Sequence, residues 1–144
     1  MQGRIPSGVA LVFGDCDDPA REEELNQWYD RMHIPDVAKG GIFCDATRHV
    51  NPQAKGGPED PTYLIIYETD WEDLALAWEM NKPYTSGLQE QGRIHASWKV
   101  AGSGSFTRIG MVRKPTPGKD TKGILVVFTE CLDSSRETEF NKWY

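Results

Sequence analysis

The sequence predicts an α+β protein: one antiparallel sheet with two helices on one face, followed by a partial second copy of its own opening. Three observations lead there. A strand-like apolar run and an amphipathic stretch open the chain, and much of that unit returns near the C-terminus. Between the copies the apolar spacing switches between the strand and helix periods, giving the order β-α-β-β-α-β. Segments rich in Gly, Pro and Lys separate the pieces.

The repeated unit comes first. Residues 8–36 read GVALVFGDCDDPAREEELNQWYDRMHIPD, and residues 123–144 read GILVVFTECLDSSRETEFNKWY. They align without a gap, so that Cys16, Asp18, Arg21, Glu22, Trp28 and Tyr29 match Cys131, Asp133, Arg136, Glu137, Trp143 and Tyr144. Residues 9–13 are a continuous β-branched and apolar run, the pattern of a buried strand. Asp18 before Pro19 is an N-cap followed by proline at the first helical position. Glu22, Glu23 and Glu24 suit the positive end of the helix dipole. Leu25, Trp28, Tyr29 and Met32 form one apolar stripe. Pro35 biases Ile34 away from helical angles, so the helix is expected to end near His33.

The remaining elements follow in order. Residues 39–41 are a turn, 42–50 a strand and 51–61 a Gly- and Pro-rich solvent loop. Residues 62–69 are a strand with Tyr63, Ile65 and Tyr67 on one face and Leu64 and Ile66 on the other. Asp70 is placed to cap a second helix carrying Trp71, Leu74, Ala75 and Trp78, ended by Asn81-Lys82-Pro83. Residues 97–112 hold two strand-like runs, 98–101 and 106–112, broken by Gly102-Ser103-Gly104 as either a bulge or a hairpin. The resulting organisation is a ferredoxin-like split-βαβ domain over residues 1–113, a linker at 114–122, and a truncated second repeat, strand plus helix, at 123–144. The second copy stops in mid-helix with no capping residue, as expected of a shortened tandem repeat. The sheet face away from the helices is apolar and needs cover; a second sheet, from another subunit or a tandem repeat, would supply it.

Composition bounds the function. The chain has 144 residues, 26% of them charged and 38% hydrophobic, and a formal net charge of −6. That is enough for one domain with a core, and the acidic balance argues against a nucleic-acid binder. No apolar run approaches the roughly 18 residues of a membrane span, and MQGRIPSG at the N-terminus lacks the apolar core of a secretory signal. Cys16, Cys44 and Cys131 form no CxxC pair, and Cys16 and Cys131 are equivalent repeat positions. A reducing, cytoplasmic location is expected. Acids concentrate in residues 15–30 and bases in 93–122. These are either two solvated faces or an acidic helix that meets the basic arm of another subunit.

NQWYDRMHIPD, followed by GGI and a strand carrying Arg48-His49, resembles the dimeric α/β-barrel superfamily, nearest to its EthD-like members and their tandem-repeat relatives. ETDWEDLALAWEMNKPY is similar to the second helix of that superfamily, and the resemblance spans residues 8–112. It implies two sheets forming a barrel, from two chains or from two repeats. The superfamily hosts isomerases, dehydratases, cyclases, cofactor-free oxygenases, haem enzymes and proteins of no known activity, so function must be argued from the site. In EthD-like relatives the matching histidine is the one proposed to act on substrate, which implies a role for His33. Haem-degrading relatives carry a histidine on the second helix where this chain has Trp78, so the resemblance does not imply haem.

The residues themselves nominate a site. Asn26, Asp30 and His33 lie at i, i+4 and i+7, with Tyr29 one turn before His33. Imidazole suits proton transfer near neutral pH. The other reading of His33 is a cap on the last helical turn, bonded to an orphan carbonyl or paired with Asp36. Trp28 reads as core, while the Tyr29 hydroxyl could reach a ligand. Only one of Arg48 and His49 can face inward, where a cation would meet an anionic or enolate-like substrate. Tyr63, Tyr67, Trp71, Trp78 and Trp98 make an aromatic interior that serves either as plain core or as the wall of a pocket for a flat apolar ligand. Asp15, Asp17 and Asp18 lack the Gly and distal Glu of a calcium loop, and His33, His49 and His95 have no metal-ligand spacing. The function expected is a cofactor-independent isomerase, dehydratase or cyclase acting on a small hydrophobic or aromatic molecule. His33, Tyr29, Asp30 and Asp36 would be catalytic, and Asn26, Arg48, His49, Tyr63, Tyr67 and Trp78 would bind substrate. A homodimer is expected, with no metal or cofactor and no nucleic-acid or membrane partner. The alternative is a non-catalytic small-ligand-binding or assembly module.

Overall fold

The opening apolar run becomes strand β1 (Gly8–Cys16) in a computed structural model that describes residues 5–110 and 123–143. It is central in a four-stranded antiparallel sheet of order β2-β3-β1-β4, with β2 at Asp45–Val50, β3 at Tyr63–Thr69 and β4 at Trp98–Thr107. Helices α1 (Glu22–Trp28), α2 (Ile34–Lys39) and α3 (Leu74–Glu90) complete the ferredoxin-like order. Register decides which side chains meet them. Ala10 pairs with Tyr67 and Val12 with Ile65, and these residues pack with Leu25, Trp28, Tyr29, Val37 and Ala77 from the helices. Tyr63, Ile65 and Tyr67 therefore share the core face, as their alternation requires. Leu25, Tyr29 and Ile65 are fully buried.

The first helix does not end at His33. Asp18 caps a short turn (Pro19–Arg21), α1 follows, and residues Tyr29–His33 widen into a π-turn in which the Ile34 N–H donates to the Tyr29 carbonyl. Helical geometry resumes in α2. Pro35 thereby follows the widened turn in a continuing helix, where the i→i−4 ladder is already interrupted and its missing N–H is tolerated. The expected turn at 39–41 then forms, with Gly41 at φ +76°, a conformation that favours glycine.

Three other expectations change. Asp73, not Asp70, caps the second helix by accepting from the Leu76 N–H at 2.9 Å, so Trp71 lies ahead of it. The helix also continues through Pro83 to Glu90. Tyr84 and Leu88, beyond the proline, pack inward, and the Tyr84 hydroxyl donates to the Asp36 carbonyl at 2.6 Å. Such tertiary contacts offset the roughly 3 kcal/mol cost of an interior proline. The strand expected from Ile42 begins only at Asp45, because Ile42 and Phe43 turn into the core.

The Gly102-Ser103-Gly104 break is a bulge, not a hairpin. β4 runs unbroken, but its register against β1 shifts, with Phe13 opposite Gly102 and Gly14 opposite Val100. The Trp98 ring lies against Gly14, and a methyl group there would overlap both that ring and the Lys99 carbonyl. The acidic cluster does local work: Asp15 accepts from the Gly57 and Thr62 N–H groups at 3.0 and 2.8 Å, pinning the 51–61 loop, and Asp17 pairs with Lys99 at 3.1 Å.

The chain divides into two units, Met1–Arg113 and Lys114–Tyr144. The expected linker 114–122 lies outside the described residues; of the strand expected to reach residue 112, β4 ends at Thr107, residues 108–110 form no strand, and 111–112 lie outside the described residues. Within the second unit, α4 (Glu137–Trp143) follows a short turn (Ser134–Arg136), as α1 follows Pro19–Arg21. The contacts repeat as well. Asp133 accepts from the Ser135 N–H as Asp18 does from Ala20, and each preceding cysteine donates its thiol to that aspartate's carbonyl at 3.1 Å. Arg136–Glu139 reproduces Arg21–Glu24. Burial does not repeat: Trp28 is 8% exposed and Trp143 80%. Residues 123–130 form no strand. Among the described residues, no helix is long and apolar enough to cross a membrane.

Candidate functional site

The candidate site lies where the helical layer meets the edge strand β2. Arg48 pairs with Ile65 on β3, so its side chain points toward the helices, while His49, opposite Leu64, is carried on the other face. Asn26 and Asp30, one turn apart, receive the guanidinium. Nη2 donates to Asn26 Oδ1 at 2.7 Å, and Nη1 donates to Asp30 Oδ1 at 2.7 Å and to the Asn26 carbonyl at 3.5 Å. The guanidinium carbon stands 4.5 Å from the centre of the Tyr29 ring and 5.4 Å from that of Tyr63, within cation–π range. The Arg48 side chain is 14% exposed, and that of Asp30 is 63% exposed. A groove of about 440 Å³ opens beside them, lined by Asn26, Asp30, Arg48, His49, Val50 and Tyr63.

Behind the groove stand phenols held in their neutral form. The Tyr29 and Tyr67 hydroxyls meet at 3.2 Å. Burial raises both, Tyr67 to about 12 and Tyr29 beyond the ordinary phenol range. Tyr63 is also raised, by burial and then by its 2.5 Å hydrogen bond to the Glu22 carboxylate. Asn26 Nδ2 donates to the same hydroxyl at 3.4 Å. At neutral pH these groups are hydrogen-bond donors, not bases.

His33 lies apart from that groove lining. Its ring stacks on Trp28 at 4.7 Å and meets the edge of Tyr29 at 4.8 Å. Burial lowers its pKa to about 4, with Asp36 opposing and Arg48 reinforcing the shift. The imidazole is neutral at pH 7. It is not a terminal cap, because the helix continues past it. Neither carboxylate expected to orient it is bonded to it: Asp30 holds Arg48, and Asp36 holds Arg93 at 2.6 Å and Lys39 at 3.5 Å.

The structure thus gathers Asn26, Asp30, Arg48, His49 and Tyr63 around one groove, sets Tyr29 and Tyr67 directly behind it, and puts His33 one ring further back. Trp78 stands elsewhere, donating its Nε1–H to the Ser105 hydroxyl and packing on Phe43 at 5.7 Å. His95 is latched, with Nδ1 accepting from the Ser97 N–H and Nε2 3.2 Å from Glu24. Sequence reasoning missed Glu22, whose role in the helix dipole hid its reach to Tyr63, and Arg93, which lies in the segment left unassigned.

No protein-family model matches the chain, and no curated protein sequence does. Solved structures do. HapK from Hahella chejuensis matches over 76% of this chain and 99% of its own, with a TM-score of 0.55 and 12% identity. A monooxygenase from the gene ActVA-Orf6 of Streptomyces coelicolor, solved with nanaomycin D, matches over 76% of this chain and 94% of its own, with a TM-score of 0.47 and 20% identity. A dimeric ferredoxin-like protein from Thermobifida fusca matches over 70% and 91%, at 0.41 and 13%. The HapK match bears on the fold alone, the ferredoxin-like arrangement of sheet and helices described above.

Proposed function

We propose that this protein binds a small, flat, largely apolar molecule in the groove beside Arg48 and moves a proton on it without a cofactor, as an isomerase, dehydratase or cyclase does. One observation carries the reading: a mostly buried guanidinium, flanked by two tyrosine rings, at the base of an open groove. A charge fixed in such a place stabilises an oxyanion more than the same charge in water. In this reading Arg48 meets the developing enolate oxygen, and Asn26 and Tyr63 orient the ligand. Asp30, the exposed carboxylate on the groove wall, exchanges the proton, while His33 supports Tyr29 from behind. Glu22 keeps the Tyr63 hydroxyl aimed.

The test follows α-proton exchange of 1-tetralone in D2O by NMR. The reading predicts faster deuterium incorporation than in buffer, lost in Arg48→Gln and in Asp30→Asn. Loss in His33→Ala with Asp30→Asn unaffected would return the proton-carrying role to His33. A second reading, a binding module without catalysis, is favoured by the packing of His33 between Trp28 and Tyr29. Tetralone that binds but exchanges no faster than in buffer would select it.

A further inference from the structure

We propose that Asp30 is a displaceable counter-ion on Arg48, and that the groove's ligand is a flat aromatic molecule whose anionic oxygen, carboxylate or phenolate, takes its place. This rests on the groove being the ligand site. The two groups that hold the guanidinium differ in kind. Asn26 grips it with both its amide oxygen and its backbone carbonyl. Asp30 contributes one carboxylate oxygen from a side chain that is 63% exposed. Little packing holds that carboxylate in place, so it can rotate off while Asn26 stays.

Removing an anion from a mostly buried guanidinium is costly unless another arrives. Departure of Asp30 is therefore coupled to entry of a ligand anion. A neutral molecule brings no charge to replace Asp30, so in its ground state it gains less from Arg48 than an anion does. The surroundings select the rest of the ligand. Tyr63 and the 60%-exposed Val50 give the groove an apolar wall for a ring system. The chain's net charge of −6 offers no general attraction for anions, so recognition falls to this one cation.

Isothermal titration with 2-naphthoate and its neutral analogue 2-naphthamide tests the inference. The wild type should bind naphthoate in preference to naphthamide. Asp30→Asn removes the competing charge and should tighten naphthoate about five- to tenfold while leaving naphthamide unchanged. Arg48→Gln should abolish the preference. Asp30→Asn on the exposed side of the pair should fold normally, and a thermal melt checks this. The inference is overturned if Asp30→Asn leaves naphthoate affinity unchanged, if it tightens both ligands equally, or if millimolar naphthoate binds neither protein. The result is separable from catalysis. Tetralone exchange absent with the Asp30 effect present removes the enzyme reading alone, and the reverse outcome removes this inference alone.

Discussion

Two residues show how much a single neighbour decides. Gly14 is glycine because the β4 bulge brings the Trp98 ring and the Lys99 carbonyl against its Cα. Gly14→Ala is expected to cost about 1–3 kcal/mol in urea denaturation, the usual range for overpacking. A change within 0.5 kcal/mol would mean the bulge relaxes freely. His33 gives a pH prediction. Its folded pKa of about 4 lies below the ordinary 6.5, so the unfolded chain takes up the proton first as pH falls. Its contribution to stability is whole above pH 6.5 and is lost between there and about pH 4, amounting to up to about 3 kcal/mol. His33→Gln should therefore flatten the fall in melting temperature between pH 7 and pH 4.5; an unchanged slope would contradict the burial argument. At this scale the sequence put Asn26, Asp30 and Arg48 forward but not their pairings. Arg48 with Asn26 and Asp30 spans strand and helix, and no spacing rule along one element reveals a contact between two.

Proline shows what governs the elements. The chain places Pro35 just past a widened turn and Pro83 inside a regular helix. Pro35→Ala should change stability by less than about 1 kcal/mol, because the π-turn just before it already interrupts the i→i−4 ladder. Pro83→Ala restores an interior N–H and should stabilise the protein by about 1–3 kcal/mol. Equal effects in chemical denaturation would show that the π-turn does not set the tolerance at Pro35. Element types and order were legible because apolar period and capping residues are local signals. The ends of both helices were not, because Tyr84, Leu88 and Val37 reward continuation only once another element is there to pack against.

For the whole molecule, the sheet face opposite the helices carries Val9, Leu11, Phe13, Leu64 and Ile66. Leu11 and Ile66 on it are each only 6% exposed, so the face is not bare within the chain; a second copy packed there face to face as a barrel is a proposal that mass tests. Light scattering is expected to give about twice the 16.2 kDa chain mass; a stable monomer at high concentration would remove the barrel proposal. The caps and ion pairs of residues 18–24 recur at 133–139 because they are local, while the strand expected at the start of the second copy does not form. What burial each copy finds is not a local property, which is why Trp28 and Trp143 differ. The claim on which the functional account turns is that ligand enters beside Arg48. Titration of 15N-labelled protein with 2-naphthoate, followed by amide and arginine side-chain shifts, tests it most directly. The account predicts perturbations centred on Asn26, Asp30, Arg48, His49 and Tyr63; shifts confined to other surfaces, or none at saturating ligand, would contradict it.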